Sequence, residues 1–256
     1  PVHYGNHGHI DPCGFDFTAL GRPLLIDPGC AAYFAHETRR RIKSAAAHNT
    51  LTVNFREPFD YCSSFAFAPQ KEGRIDWTLD QPGLLAAQAS HACFEPALHR
   101  RAVAVIGDGI LLVLDEVTDL FWLSSVQIYF QIPFATAVTR ANGCGFHTAE
   151  EGVNVAVAAS EGLVFSEAPV RTEADASVGI ERPFTTVRFD DWGASRLTKR
   201  RYATVVCPVA AGADASEADL GVPEISTETD DLTVRFRVGA VAYTARWTAD
   251  TLLLCP

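Results

Sequence analysis

Residues 100–115, RRAVAVIGDGILLVLD, contain two apolar runs separated by the short segment Gly-Asp-Gly. Short runs rich in Val, Ile and Leu with turn residues between them are typical of a β-hairpin. Gly109 readily supplies the positive φ that such a turn needs. We therefore predict one strand over 100–106 and a second over 110–115.

Similar runs extend along the whole chain, and in 233–238 (TVRFRV) apolar and polar residues alternate as in a strand with one buried face. Thirteen further strands are predicted, at 15–20, 24–27, 49–54, 74–79, 84–92, 124–132, 153–159, 163–166, 185–189, 202–207, 232–238, 241–248 and 252–254. The best helix candidate is 31–47, and 134–150, 167–184 and 209–231 are predicted to be surface loops. Roughly fifteen strands predict an all-β fold, a large antiparallel β-sandwich with little helix that forms one domain over 1–256.

The composition excludes several classes of protein. The chain is 48% hydrophobic with a net charge of −10, which fits a globular protein and argues against nucleic-acid binding through a basic face. No apolar run is long enough to span a membrane. The seven Cys are odd in number and form no C-x-x-C motif, so neither a zinc knuckle nor a dense disulfide framework is indicated. Whether Cys13 and Cys30 pair across the predicted turn at Gly21-Arg22 stays open.

Most of the residues suited to chemistry lie in the first fifty positions. On an extended strand, His7-x-His9 would point both imidazoles to the same face. With Asp27 and His48 they form a nitrogen and oxygen donor set that suits zinc. The alternative is that these histidines are surface residues or hydrogen-bonded core residues.

Two known metal-binding patterns fit only in part. The metallo-β-lactamase run H-x-H-x-D-H has Pro12 in place of its last His. Cupins need a Glu soon after H-x-H, whereas the first Glu after His9 is Glu37.

A third pattern fits in order and spacing over about the first 115 residues. Its parts are GNHGHID at 5–11, FDF at 15–17, GRPLLIDPG at 21–29, Tyr33, RRR at 39–41, AHNTL at 47–51, SHACF at 90–94, HRR at 99–101 and a strand that ends at Asp115. Together they resemble the C-terminal domain of the heparinase II/III-like polysaccharide lyases. The remaining residues match that family only in general β character.

The resemblance implies that Zn2+, or another divalent cation, binds to His9, Asp27 and His48, and that His7 faces the substrate. It implies cleavage of a uronate-containing acidic polysaccharide, such as a glycosaminoglycan, by β-elimination in a cleft shared with an N-terminal α-helical toroid. The chain begins at Pro1 and lacks Met, which indicates a trimmed or excised chain, and we expect it to be a fragment of, or a partner to, a longer lyase. We expect it to be periplasmic or secreted, and to be a carbon–oxygen lyase only when joined to the toroid.

Individual residues have two interpretations each. His7 is a candidate base or hydrogen-bond donor, because an imidazole can serve as either near neutral pH, and Tyr33 is a proton donor or a packed strand-end residue. Arg39 and Arg41 attract the acidic polysaccharide or form a solvated face. His91 lines the cleft or caps the edge of the sandwich. We expect the metal to be structural, fixing the strands that present His7.

Two other functions remain open from the sequence. One is a non-catalytic carbohydrate-binding or structural β-sandwich that keeps the metal as a stabilising element. The other is a cupin-like metal-dependent enzyme, which iron or manganese with an open coordination position would favour.

Overall fold

The computed structural model describes residues 3–5, 7–29, 37–133, 135–140, 143–148, 154–168, 184–193, 197–209, 220–226 and 230–255. These residues form one α-helix, α1 (Glu37–Ile42), a 3-10 turn (Ala45–Ala47) and 21 strands. The strands are β1 (His3–Tyr4), β2 (Phe17–Ala19), β3 (Arg22–Leu25), β4 (Leu51–Val53), β5 (Tyr61–Ser63), β6 (Ala66–Phe67), β7 (Gly73–Gln81), β8 (Leu84–Phe94), β9 (Ala97–Ile106), β10 (Ile110–Thr118), β11 (Val126–Pro133), β12 (Ala135–Arg140), β13 (Gly143–Thr148), β14 (Asn154–Ala159), β15 (Val164–Ala168), β16 (Phe184–Asp191), β17 (Arg200–Val209), β18 (Glu224–Ser226), β19 (Leu232–Val238), β20 (Val241–Trp247) and β21 (Leu252–Cys255). No helix in this part of the chain is long and apolar enough to cross a bilayer.

The centre of the fold is an eight-stranded antiparallel sheet in the order β12-β13-β14-β17-β10-β9-β8-β7. The hairpin predicted over 100–115 is confirmed, with Ile106 of β9 opposite Ile110 of β10. Strand β10 does not end at Asp115 as predicted. It continues to Thr118, because Glu116 and Val117 are buried and still pair with both neighbouring strands.

Strand β10 is buried on both faces because the central sheet lies between two others. Leu111 and Val113 point into a core shared with the sheet β15-β16-β11-β4. Leu112 and Leu114 point the opposite way, into a second core with the sheet β18-β19-β20-β21. Successive side chains of a strand alternate between faces, which explains why Leu111, Leu112, Val113 and Leu114 form an unbroken apolar run between the two layers. The antiparallel all-β prediction is confirmed.

The residues that carry the predicted chemistry lie on short elements beside this sandwich. The hairpin β2–β3 is fixed against β11, where the Ile26 amide donates to the Gln131 carbonyl at 3.0 Å. Its two-residue turn is Leu20-Gly21, one position earlier than predicted, and both residues have positive φ, as a type I′ turn requires. Strands β1, β6 and β5 form a small separate sheet.

Two further predictions need correction. The helix predicted over 31–47 is reduced to α1 and the 3-10 turn, and 31–36 lie outside the described residues. The segment 134–150 is not a loop, because β12 and β13 pair along their length and extend the edge of the central sheet. Most of the other two predicted loops, 167–184 and 209–231, lies outside the described residues. The part that is described includes the short strand β18.

Candidate metal centre

Four side chains from three separate segments converge beside the sandwich. His9 and Asp11 come from the loop after β1, Asp27 follows β3, and His48 follows the 3-10 turn. Each offers one ligand atom, and these atoms all lie within 4.8 Å of one another. The structure therefore brings together the three residues predicted as metal ligands and adds Asp11.

Asp27 lies between the two imidazoles. Its Oδ2 is 2.9 Å from His9 Nδ1, and its Oδ1 is 3.7 Å from His48 Nε2 and accepts a 2.6 Å hydrogen bond from the Gly29 amide. Burial by itself raises the pKa of Asp27, but the His48 and His9 imidazoles and the Gly29 amide outweigh it and hold that pKa well below the usual range. Asp27 is therefore ionised, the form that binds a cation.

The orientation of His48 is set by a backbone carbonyl. His48 Nδ1 lies 2.8 Å from the carbonyl oxygen of Ser44, which can only accept, so Nδ1 carries the proton and Nε2 keeps its lone pair. A second hydrogen bond of this kind is how proteins orient an imidazole that binds a metal through its other nitrogen. Burial lowers the pKa of His48, but Asp27, Asp11 and the Ser44 carbonyl outweigh it and raise that pKa, so a bound metal would compete with a proton here.

Two buried nitrogen atoms at this centre have no hydrogen-bond partner among the described residues. They are Nε2 of His9 and Nε2 of His48. A buried polar atom left without a partner costs free energy, and a divalent cation would satisfy both lone pairs. Two imidazoles with one or two carboxylates are a donor set typical of zinc, so the residues fit the metal implied by the resemblance.

The residues that follow His48 hold the three segments together. The Asn49 side-chain amide donates to the carbonyls of Phe15 and Ile26 at 2.7 and 3.1 Å, and its Oδ1 accepts the Gln131 amide at 2.7 Å. Each of these bonds joins segments far apart in sequence. Replacing Asn49 would leave buried backbone groups without partners, so this Asn is part of the site although it offers the metal nothing.

Thr50 fixes the loop that carries Asp11 through a similar hydrogen bond. Its hydroxyl donates to the Pro12 carbonyl at 2.6 Å. The motif His-Asn-Thr therefore combines one candidate ligand with two side chains that fix the neighbouring segments. The motif itself was the sequence signal for Asn49 and Thr50, but their roles were not predicted.

The strand predicted to place His7 and His9 on one face is not formed. Residues 7–9 form no strand, since they belong to the loop between β1 and β2, so the two-residue alternation of a strand does not apply. His9 faces the metal centre and is half-buried, whereas the His7 side chain is exposed. This places His7 at the surface beside the centre.

The other predicted site residues are dispersed. Arg39 is 0% exposed, and its Nη2 donates to the Ser64 carbonyl at 2.9 Å, whereas Arg41 is exposed. The solvent-exposed role predicted for Arg39 does not agree with this placement. His91 is buried at 2% exposure, and Tyr33 lies outside the described residues.

Comparison with known proteins identifies the family. Residues 1–217 match the profile of the family described as heparinase II/III-like, C-terminal. The chain belongs to this family. No curated protein matches it significantly.

Solved structures show the same fold for this heparinase II/III-like domain. A heparinase III gene product is 18% identical, with a TM-score of 0.74 and coverage of 94% of this chain and 36% of that one. A structure of heparinase III is 16% identical, with a TM-score of 0.72 and coverage of 94% and 36%. Heparan sulfate lyase HepC from Pedobacter heparinus is 16% identical, with a TM-score of 0.68 and coverage of 97% and 37%. The chain thus spans little more than a third of their length.

A second group of ligand-type side chains in the domain, Cys13, His91 and His99, is organised differently. The Cys93 amide donates to His91 Nδ1 at 3.2 Å, so His91 Nε2 carries the proton and donates to His99 Nδ1 at 2.9 Å. His99 Nε2 in turn donates to Asp115 at 2.7 Å. All four ring nitrogens of this pair have partners without a metal, in contrast to His9 and His48. Cys13 is a free thiol, and Cys30 lies outside the described residues.

The buried pair His91 and His99 predicts that the domain loses stability in mild acid. Burial, His99 and Arg101 lower the pKa of His91 to about 2, and burial also lowers that of His99. Because histidine in the unfolded chain has a pKa of about 6.5, the unfolded state binds more protons below that pH. Stability is then complete above pH ~6.5 and falls as the pH decreases, by up to about 1.4 kcal/mol per pH unit for each histidine.

Urea denaturation at pH 7 and pH 5 measures this effect. We expect the free energy of unfolding to be lower at pH 5 and the difference to shrink in His91→Gln. The matched control is His7→Gln, since the His7 side chain is exposed. An equal pH dependence in His91→Gln and the unaltered protein would contradict the prediction.

Proposed function

We propose that this chain is the β-sandwich part of a polysaccharide lyase that cleaves a uronate-containing acidic polysaccharide by β-elimination. The observation that carries the proposal is the exposed His7, two positions from His9, beside a centre with two unpartnered buried imidazole nitrogens. The structural relatives, heparinase III and heparan sulfate lyase HepC, support heparan sulfate or a related glycosaminoglycan as substrate.

β-Elimination needs a base and a neutralised carboxylate. A base takes the weakly acidic proton from the carbon that bears the carboxylate, and the electron pair forms a carbon–carbon double bond as the bond to the leaving oxygen breaks. A proton donor then protonates that oxygen, and an unsaturated uronate remains. We assign His7 to this reaction, as base or as hydrogen-bond donor. Tyr33 remains our proposed proton donor, and we propose that an N-terminal toroid domain completes the cleft.

Zinc would be held by His9, Asp27 and His48, with Asp11 close enough to join them. When bound, it supplies positive charge and a rigid link between ligands. His48 is oriented for it by Ser44, and Asp27 by Gly29. We propose a structural metal that fixes the loop presenting His7.

Arg41 is the better of the two proposed arginine contacts with the polysaccharide. It is exposed on α1, in the segment that leads to His48, whereas the Arg39 guanidinium donates to the buried Ser64 carbonyl. We no longer favour contacts by Arg39 and His91, because both side chains are buried. The family assignment also removes the cupin alternative.

The test of the function uses the full-length gene product. Incubation with heparan sulfate should generate unsaturated uronate ends, measured by their ultraviolet absorbance. If the protein binds the polysaccharide but generates no such ends from this or other acidic polysaccharides, the non-catalytic carbohydrate-binding alternative is favoured instead.

Loss of Asp27 should remove the metal. We expect Asp27→Ala to lower zinc affinity at least about 100-fold, because it deletes the carboxylate that lies between both imidazoles, and to lower the melting temperature. Metal analysis after dialysis and calorimetry measure the two effects. The control is Asp60→Ala, since Asp60 is exposed. Undiminished zinc in Asp27→Ala would place the metal elsewhere.

A further inference from the structure

Lys43 is buried beneath the loop that carries His7. It is 0% exposed and follows α1 directly. Its ammonium group donates to the Gly5 carbonyl, at the beginning of the loop. Its own carbonyl accepts the Ile10 amide at 2.9 Å, at the end of the loop. One residue therefore holds both ends of 5–10, between which His7 and His9 lie.

The position of the ammonium group is itself fixed. Nζ also donates to the Ser64 carbonyl at 3.3 Å and lies 5.0 Å from the centre of the Phe67 ring. A buried ammonium group is costly unless such groups surround it, so its geometry is strongly constrained. A neutral replacement would remove the donor of the Gly5 carbonyl, whereas the Ser64 carbonyl would keep the Arg39 guanidinium.

The beginning of the loop is closely packed on the same ring. A Cβ atom at Gly5 would come within 2.3 Å of the Phe67 side chain, so only glycine fits there. The Gly5 amide donates to the Phe65 carbonyl at 2.9 Å. The loop therefore rests on the strand β6 and on Lys43, with little room to shift.

Lys43 also connects this loop to the metal centre. The next residue, Ser44, supplies the carbonyl that orients His48. The segment 43–48 thus holds both ends of the loop 5–10 through Lys43 and orients the candidate ligand His48 through Ser44. A displacement of Lys43 would change the distance between His7 and the centre.

We propose that Lys43 is a positioning residue that sets the place of His7 relative to the metal centre. The catalytic part of this inference rests on the proposed lyase function. A misplacement of about 1 Å at a reacting group can cost about 100-fold in rate. Lys43 would therefore affect turnover without touching the substrate.

The test compares Lys43→Met with the unaltered full-length protein. We expect kcat for polysaccharide cleavage to fall by about 10- to 100-fold, with KM changed less than about threefold and zinc retained. The stability control is Val234→Ala, a buried change in the opposite core, and it should leave kcat unchanged. A kcat of Lys43→Met within twofold of the unaltered value, or a loss equal to that of Val234→Ala, would overturn the proposal.

The contacts of Lys43 with Gly5 and Ile10, which we call the Lys43 clamp, can be tested independently of catalysis by amide hydrogen exchange. The amides of Gly5 and Ile10 should exchange slowly in the unaltered protein and at least about 10-fold faster in Lys43→Met, while amides of β10 stay protected. If Lys43→Met does not fold, rapid exchange of both amides in the unaltered protein would still overturn the clamp. Absence of lyase activity in the unaltered protein would overturn the proposed function, and the exchange comparison would still decide the clamp.

Discussion

Replacing His7 by Ala in the full-length protein is expected to lower kcat for polysaccharide cleavage by about 10²- to 10⁴-fold, the usual contribution of a general acid or base. The reason is that His7 and His9 have different roles in the proposed mechanism. His9 is half-buried against Asp27, whereas His7 is exposed and is not one of the candidate ligands. Zinc content should therefore stay unchanged. Steady-state kinetics and metal analysis of the same preparation measure both quantities.

A second substitution separates the two roles open to His7. His7→Asn keeps a hydrogen-bond donor but cannot take up a proton near neutral pH, so partial activity would indicate a donor and full loss a base. Glu224→Gln, an exposed change on β18, should behave as the unaltered protein. A His7→Ala variant that keeps kcat within twofold would remove His7 from the mechanism.

Replacing Arg101 by Met should lower the free energy of unfolding by about 3–5 kcal/mol, the usual effect of removing one partner of a buried ion pair. Arg101 binds Asp115 through Nε at 2.7 Å and Nη2 at 3.1 Å, and both residues are 1% exposed. Burial raises the pKa of Asp115, but Arg101 and His99 outweigh it and lower that pKa to about 2. Among the described residues, the variant would leave this carboxylate buried and charged with His99 as its remaining hydrogen-bond partner.

The same guanidinium supports the metal centre. Arg101 Nη1 donates to the Asn49 carbonyl at 2.7 Å, so the loss should also lower zinc affinity. Arg74→Met is the matched control, because Arg74 lies 2.6 Å from Asp76 but its side chain is 80% exposed. Exposed pairs contribute less than about 1 kcal/mol. Urea denaturation measures the free energy of unfolding of both variants. Equal losses in Arg101→Met and Arg74→Met would contradict the prediction that burial makes the Arg101–Asp115 pair important.

The candidate ligands could be found from the sequence because metal coordination restricts residue type and because the order His9, Asp27, His48 matched a known family. The position of His7 could not be predicted from the sequence. Strand alternation does not apply to His7 and His9, since both lie in a loop whose ends are held by contacts of Gly5 and Ile10 with Lys43. Lys43 was one of several cations in a charged run, and nothing in the run marked it as buried.

Arg39 shows the same difficulty. In the sequence it stands beside Arg40 and Arg41, which are exposed, yet its own side chain is buried against Ser64. Similarly, the edge hairpin β12–β13 was predicted as a loop because its composition lacks strong β signals. Its pairing with β14 extends the sheet, and such pairing is a long-range interaction that local propensity does not report.

The sequence by itself determined the antiparallel all-β class, the family and the candidate ligands, because alternation, turn residues and motif spacing are local properties of the chain. Only the tertiary structure decided which face of β10 meets which core, that His7 is exposed while His9 is not, and that Asn49, Lys43 and Arg101 hold the site together. Those outcomes depend on hydrogen bonds and burial between segments far apart in sequence, and their free energy exists only once the chain has brought the segments into contact.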